Sequence, residues 1–168
     1  MVISLKDAGI EINIPEPHFT LEANASEKSR TIHQLTQQNC FSEDTGLEVD
    51  VLHGEPGVKS ARYAGEEKNF AANIEKLLIK LKNKNDRRAR FRTVISLIWC
   101  NKEHLFEGLS EGKIIETPRG AHGFGYDPVF IPDGSKKTFA EMELYEKNKY
   151  SHRRIATDKL VEFLKHQR

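Results

Sequence analysis

The stretch ARFRTVISLIWC, residues 89–100, constrains the fold of this chain more than any other. It is β-branched and aromatic, and it is long enough to be a central strand. Leu47, Val49 and Val51 alternate with Glu48 and Asp50, the pattern of a half-buried strand. Residues 103–109 and 112–116 are expected to form the next strands, broken between Ser110 and Gly112. YDPVFIP (126–132) reads as a short apolar strand, and MVISL (1–5) as a short strand or the end of one. Helices are interspersed with these strands. Leu21, Ala25, Ile32 and Leu35 recur at helical spacing behind Thr20, a candidate N-cap. Phe70, Ile74, Leu77, Leu78 and Leu81 make a clearer apolar stripe. Ser151 is a natural cap for a last helix that carries Ile155, Leu160, Phe163 and Leu164 on one face. The sum predicts an α/β fold with a mixed sheet.

A length of 168 residues predicts one domain, spanning 1–168, with a core that needs no disulfide staples. The 26 basic and 25 acidic residues nearly cancel, which argues against an extended nucleic-acid or membrane footprint. Residues 76–92 hold eight basic side chains against Asp86 alone. No RNA or DNA recognition motif accompanies them, so the run reads as a helix face, its exit loop and an exposed strand face. Cys40 and Cys100 form no CxxC pair and suggest a reducing cytosol, with both thiols buried. No apolar run is long enough to span a bilayer, and the N-terminus does not read as a signal peptide. A cytoplasmic protein is expected.

Three segments carry chemistry. In SEDTGLEVDVLHGEPGVKSARYAG (42–65), Glu43 and Asp44 precede a Thr-Gly pair that reads as a turn. A carboxylate at a strand end beside such a turn can reach a divalent metal and a water, although the pair alone also fits an ordinary acidic turn. In PRGAHGFGYDPVF (118–130), Gly120, Gly123 and Gly125 allow tight turns and close approach to a ligand. Phe124 lies between two of them with its face open to a base, and Asp127 could bond a base or sugar edge; a hairpin-like loop with a core Phe is the plainer alternative. In EKNKYSHRR (146–154), Lys147, Lys149, His152, Arg153 and Arg154 gather at a helix start, where backbone N–H groups favour anions. A capped basic helix start would look the same.

In that order and spacing, the three segments resemble one family, the inosine triphosphate pyrophosphatases. The family's [AS]-D-D-[ST]-G-L-x-V-D and G-x-P-G-x-x-S-A-R-Y-[AS]-G appear as SEDTGLEVD and GEPGVKSARYAG. Its G-F-G-[YW]-D-P-x-F appears as GFGYDPVF (123–130), and its E-K-x-x-x-S-H-R as EKNKYSHR (146–153). IPEPHFTLEANASEKSR (14–30) is similar to its acidic segment and first helix start. The resemblance implies an α/β fold with a central mixed sheet and two lobes around a nucleotide cleft. It implies Mg²⁺-dependent hydrolysis of the α–β phosphoanhydride of ITP, dITP or XTP, giving the monophosphate and pyrophosphate, by a homodimer. Asp44 matches the proton acceptor and a metal ligand, and Glu16 the second metal-holding acid. Thr45, Phe124, Gly125, Tyr126, Asp127, Lys147, His152 and Arg153 match substrate contacts, with Phe124 stacking on the base. A 6-keto acceptor on hypoxanthine or xanthine, where adenine has a donor, suits an arginine and disfavours ATP.

Two departures stand out. Glu43 replaces the commoner first Asp of the D-D pair. The family's leading strand, T-x-N-x-x-K phosphate loop and first helix have no counterpart before Val2. The chain is therefore expected to be less active than a version extended by them, with a catalytically impaired nucleotide-binding protein as the alternative.

Overall fold

A computed structural model describes residues 2–167. The order of elements is α1 (Leu21–Thr36), β1 (Cys40–Val49), β2 (Pro56–Gly57), α2 (Phe70–Lys80), β3 (Arg88–Trp99), β4 (Lys102–Ile114), β5 (Phe130–Pro132), α3 (Leu144–Lys147) and α4 (His152–Lys165), with four short 3₁₀ turns between them. The caps expected at Thr20 and Ser151 form: Thr20 accepts the Ala23 N–H and Ser151 that of Arg154, and Asn69, not singled out in the sequence, accepts that of Ala72, each meeting a donor that the first helical turn leaves free.

The sheet runs β2-β1-β3-β4-β5, so the 89–100 stretch is indeed the central strand. Every pairing is antiparallel, which corrects the expectation of a mixed sheet. The physical reason is connectivity: β3 and β4 join through a tight hairpin at Cys100 and Asn101, both in left-handed backbone conformation, rather than through a helix. Nor is there a break at Ser110–Gly112. β4 is continuous, and its small residues mark close approaches instead. A Cβ on Gly112 would collide with the Ile131 carbonyl, and one on Gly108 with the His152 carbonyl and, at 2.6 Å, the Ala156 nitrogen. Residues 2–5 form no strand, while Met1 lies outside the described residues. Val51 belongs to a 3₁₀ turn (Asp50–Leu52), and 126–132 divides into a 3₁₀ turn (Asp127–Val129) followed by β5.

Strand alternation sends odd and even positions of β3 to opposite faces. On one face Ala89 and Phe91 join Leu47, Val49, Leu77, Leu81, Phe130 and Phe139 in the main core, and Ile95 and Leu97 pack on Ala156 and Leu160 of α4. On the other, Val94 packs on Leu21 and Ala25 of α1. The basic run is largely neutralised: Arg88 pairs with Asp86, Arg90 with Glu48, Arg92 with Glu22 and Glu107, and Lys80 with Glu55. Both cysteines are unpaired, but Cys100 is exposed and Cys40 half-buried, so neither is the buried thiol expected. Leu35 and Phe70 are also largely exposed, off the core that their helical spacing suggested.

Candidate active site

β1 carries the site on both of its faces. Glu43, Asp44 and Thr45 lie inside this strand, paired with Ile95, Val94 and Thr93, and the expected Thr-Gly turn does not exist. Gly46 is needed for a different reason: a Cβ there would come within 2.5 Å of the Gly57 carbonyl oxygen of β2. Because neighbours in a strand point to opposite sides, Asp44 faces α1 while Glu43 and Thr45 face α4.

On the α1 side, Lys28 Nζ lies 2.7 Å from Glu16 and 3.0 Å from Asp44, so two carboxylates converge on one cation. Asn24 Nδ2 donates to Asp44 at 3.4 Å, and Arg62 approaches Glu16 at 3.4 Å. Burial pushes the Asp44 carboxyl above the usual carboxylate range, against the pull of the Lys28 ammonium. Glu16 also feels burial, but the hydrogen bond and charge of Lys28, with help from Arg62, hold it below the ordinary range. Hard oxygen ligands meeting at the place of a positive charge suit a divalent cation of the Mg²⁺ type, which commonly takes one or two carboxylates and completes its shell with water and phosphate. Among the described residues no group of three or more His, Cys, Asp or Glu side chains is placed to hold a metal, so any such ion would depend on those other ligands.

On the α4 side a cavity of about 560 Å³ opens between Thr45, Phe91, Phe124, Tyr126, His152 and Arg153. Its aromatic walls and few convergent donors are the composition of a small-molecule site. A larger depression of about 800 Å³ beside α2 lacks that chemistry. Its arginine, Arg87, is spent on the carbonyls of Ile114, Leu81 and Ile115. In the smaller cavity the His152 ring stacks on Phe91 with centroids 4.8 Å apart, and the residue is 4% exposed. Neither ring nitrogen has a hydrogen-bond partner among the described residues. Burial, then the charges of Arg153 and Lys147, push the imidazole down to about 3, so it is neutral at physiological pH. A buried imidazole lining a cavity, with a donor and an acceptor free of protein partners among the described residues, can bond a polar group there.

The loop around Phe124 is braced rather than floppy. Asp127 is buried and accepts the Phe124 N–H at 2.9 Å and Lys147 Nζ at 2.5 Å. It therefore supports the loop while lining the cavity. Gly123 sits at φ +78°, and a Cβ there would strike the Asp127 carboxylate. Tyr126 donates to the Ser60 carbonyl at 2.9 Å, tying the loop to the segment after β2. Phe124 itself is 54% exposed, with Arg153 Cζ 5.2 Å and Lys147 Nζ 5.5 Å from its centroid. Thr45 shares a 2.7 Å hydroxyl contact with Thr93.

Thus Thr45, Phe124, Gly125, Tyr126, Asp127, Lys147, His152 and Arg153 all line one cavity, and Glu16 and Asp44 meet at a second place. Lys149 and Arg154 stand apart as site groups: the first approaches the Tyr145 ring, and the second, though it reaches the cavity rim, pairs with Asp158. The sequence reading did not single out Lys28 or Asn24, although both lie in the quoted NASEK stretch four residues apart on one helix face. It also missed Phe91, which no local signal marks, and Phe70, whose ring lies 6.4 Å from that of Phe124.

Comparison with known proteins places the chain among relatives. The profile of the Ham1 family matches residues 1–163. A dITP/XTP pyrophosphatase of Christiangramia forsetii is 51% identical over 163 residues, covering 97% of this chain and 86% of its own. One from Flavobacterium psychrophilum is 49% identical, covering 98% and 86%. The solved structure of the Staphylococcus aureus Ham1 protein superposes with a TM-score of 0.95 at 41% identity, covering all of this chain and 88% of its own. A full-length profile match, close relatives and a shared fold place this chain in the Ham1 family.

Proposed function

We propose that the protein hydrolyses the non-standard purine nucleotides dITP, ITP and XTP to their monophosphates and pyrophosphate. The observation that carries this reading is the division of β1. A neutral, unpartnered histidine and an arginine line an aromatic cavity on one face, and two carboxylates converge on the other. The faces meet over the outer edge of β1, which β2 covers only at Leu47 and Glu48. A nucleotide with its base in the cavity can lay its phosphates across that edge toward Asp44.

The base would stack on Phe124, and Arg153 and His152 would donate to its 6-keto oxygen. Adenine offers a donor at that position, leaving both groups without their acceptor, and this disfavours ATP. Lys147 and Asp127 keep the Phe124 loop in place. Across the strand, Lys28 and Arg62 bring positive charge to the phosphates. Asp44, made more basic by burial, would accept a proton from the attacking water. The water oxygen would bond to the α-phosphorus as the bond from that phosphorus to the α–β bridging oxygen breaks, and pyrophosphate leaves with the electron pair. Glu16 and Asp44 would hold Mg²⁺, which when bound neutralises phosphate charge. Positioning and electrostatics therefore supply most of the catalysis.

The chain would work as a cytoplasmic homodimer. Its unpaired cysteines fit a reducing compartment, no helix among the described residues is long and apolar enough to cross a membrane, and apolar side chains such as Phe41 and Leu105 remain about half exposed. The test of the site is Asp44→Asn. It should lower pyrophosphate release by at least about a hundredfold while nucleotide binding persists, since the amide cannot take a proton. Near-normal turnover in that variant would remove Asp44 from the catalytic role.

A further inference from the structure

We propose that Glu43 is a positioning residue for the base pocket, holding the Arg153 guanidinium by its Nε edge so that its terminal nitrogens are left for the substrate. The inference rests on reading the α4-side cavity as the base site. Arg153 Nε donates to Glu43 Oε1 at 2.9 Å, joining β1 to the first turn of α4 across 110 residues of sequence. No other hydrogen bond among the described residues uses the guanidinium, and Arg153 lines the cavity. Glu43 and Thr45 share a strand face, about 6.6 Å apart along the chain. Asp44 between them points the other way, to Lys28 and Asn24. The two consecutive acids thus serve different ends of the substrate: the first aligns the base reader, and the second faces the phosphates.

Arginine is long and loses much rotamer freedom when it is fixed. A carboxylate that fixes it beforehand removes that loss from the binding step. Stability is not the purpose of the pair, because its two side chains are 38% and 42% exposed, and such pairs contribute little to folding. Side-chain length matters as well. An aspartate at position 43 would stop about one carbon–carbon bond short of a 2.9 Å hydrogen bond.

The experiment is steady-state hydrolysis of XTP by the full chain and its Glu43→Ala, Glu43→Gln, Arg153→Ala and double variants, with thermal melting of each. Glu43→Ala should raise KM roughly three- to tenfold, with kcat changed less than about twofold and the melting temperature unmoved. Glu43→Gln retains an acceptor for Nε and should recover part of the loss. The double variant should be no worse than Arg153→Ala alone, the signature of two residues acting as one. Additive penalties would overturn the proposal. So would an unchanged KM in Glu43→Ala when Arg153→Ala raises it, or a fall in kcat alone, which would assign Glu43 to the chemistry of Asp44. If Arg153→Ala leaves KM unchanged, the base-site reading itself fails and this inference fails with it.

Discussion

His152 carries a stability penalty that the proposed binding role would explain, and replacing it with phenylalanine tests both. The imidazole is 4% exposed, stacked on Phe91, and without a partner at either nitrogen among the described residues. Its protonation falls from an ordinary value of 6.5 to about 3 in the fold. Below pH 6.5 the unfolded chain binds a proton that the folded chain refuses. The neutral ring's contribution is therefore complete above that value and is lost as the pH falls toward 3. Between pH 7 and 5 the linkage amounts to about 2 kcal/mol, or about 4–8 °C in melting temperature for a chain of this size. His152→Phe keeps the stacked ring and does not titrate. Its melting temperature should fall less over the same interval, by about that difference, since the other titrating groups are common to both proteins. At pH 7 it should be at least as stable as the parent, because a buried polar group left unpaired costs about 1–3 kcal/mol. Nucleotide binding should weaken at the same time. Calorimetry of the two proteins at pH 7 and pH 5 decides the matter, and parallel losses in both would refute the account of a neutral, orphaned imidazole.

Other perturbations probe the same architecture. Arg153→Ala and Phe124→Ala should each weaken nucleotide binding by about 1–3 kcal/mol, read by titration calorimetry, and unchanged affinity in both would move the base pocket elsewhere. Gly108→Ala would push the His152 carbonyl off β4; it should cost about 1–3 kcal/mol by chemical denaturation and raise KM with it, and a neutral result would mean that α4 is free to shift. Gly123→Ala combines a left-handed backbone with a clash on Asp127, so it should loosen the Phe124 loop and lower base affinity more than it lowers stability, as comparison of KM with the melting temperature would show.

Much of this was legible before any coordinates. The central strand announced itself in residues 89–100, and Thr20 and Ser151 capped helices by a rule that is local in sequence. Glycine accounts for one set of differences: Gly46 and Gly112 suggest a turn and a strand break in the sequence, and in the fold each admits a neighbour. Gly46 lets Gly57 of β2 lie against β1, and Gly108 and Gly112 let α4 and β5 approach β4. Turn signals in sequence do not distinguish φ freedom from close approach, because both call for a missing Cβ. The candidate site residues stand in the motifs, but their partnerships do not. Lys28 reaches Asp44 across 16 positions and Arg153 reaches Glu43 across 110, and no local pattern encodes either meeting. Asp127 shows the same limit, since nothing local in its motif indicates that its carboxylate would also brace Phe124 and Lys147.

The protein is expected to remove pyrophosphate, as one piece, from dITP, ITP and XTP. The direct measurement is phosphorus NMR of XTP and of dITP incubated with the protein and Mg²⁺, with ATP in parallel. The account predicts equal amounts of the monophosphate and pyrophosphate from the first two, and little turnover of ATP. Orthophosphate as the product, or ATP consumed as fast as XTP, would contradict it.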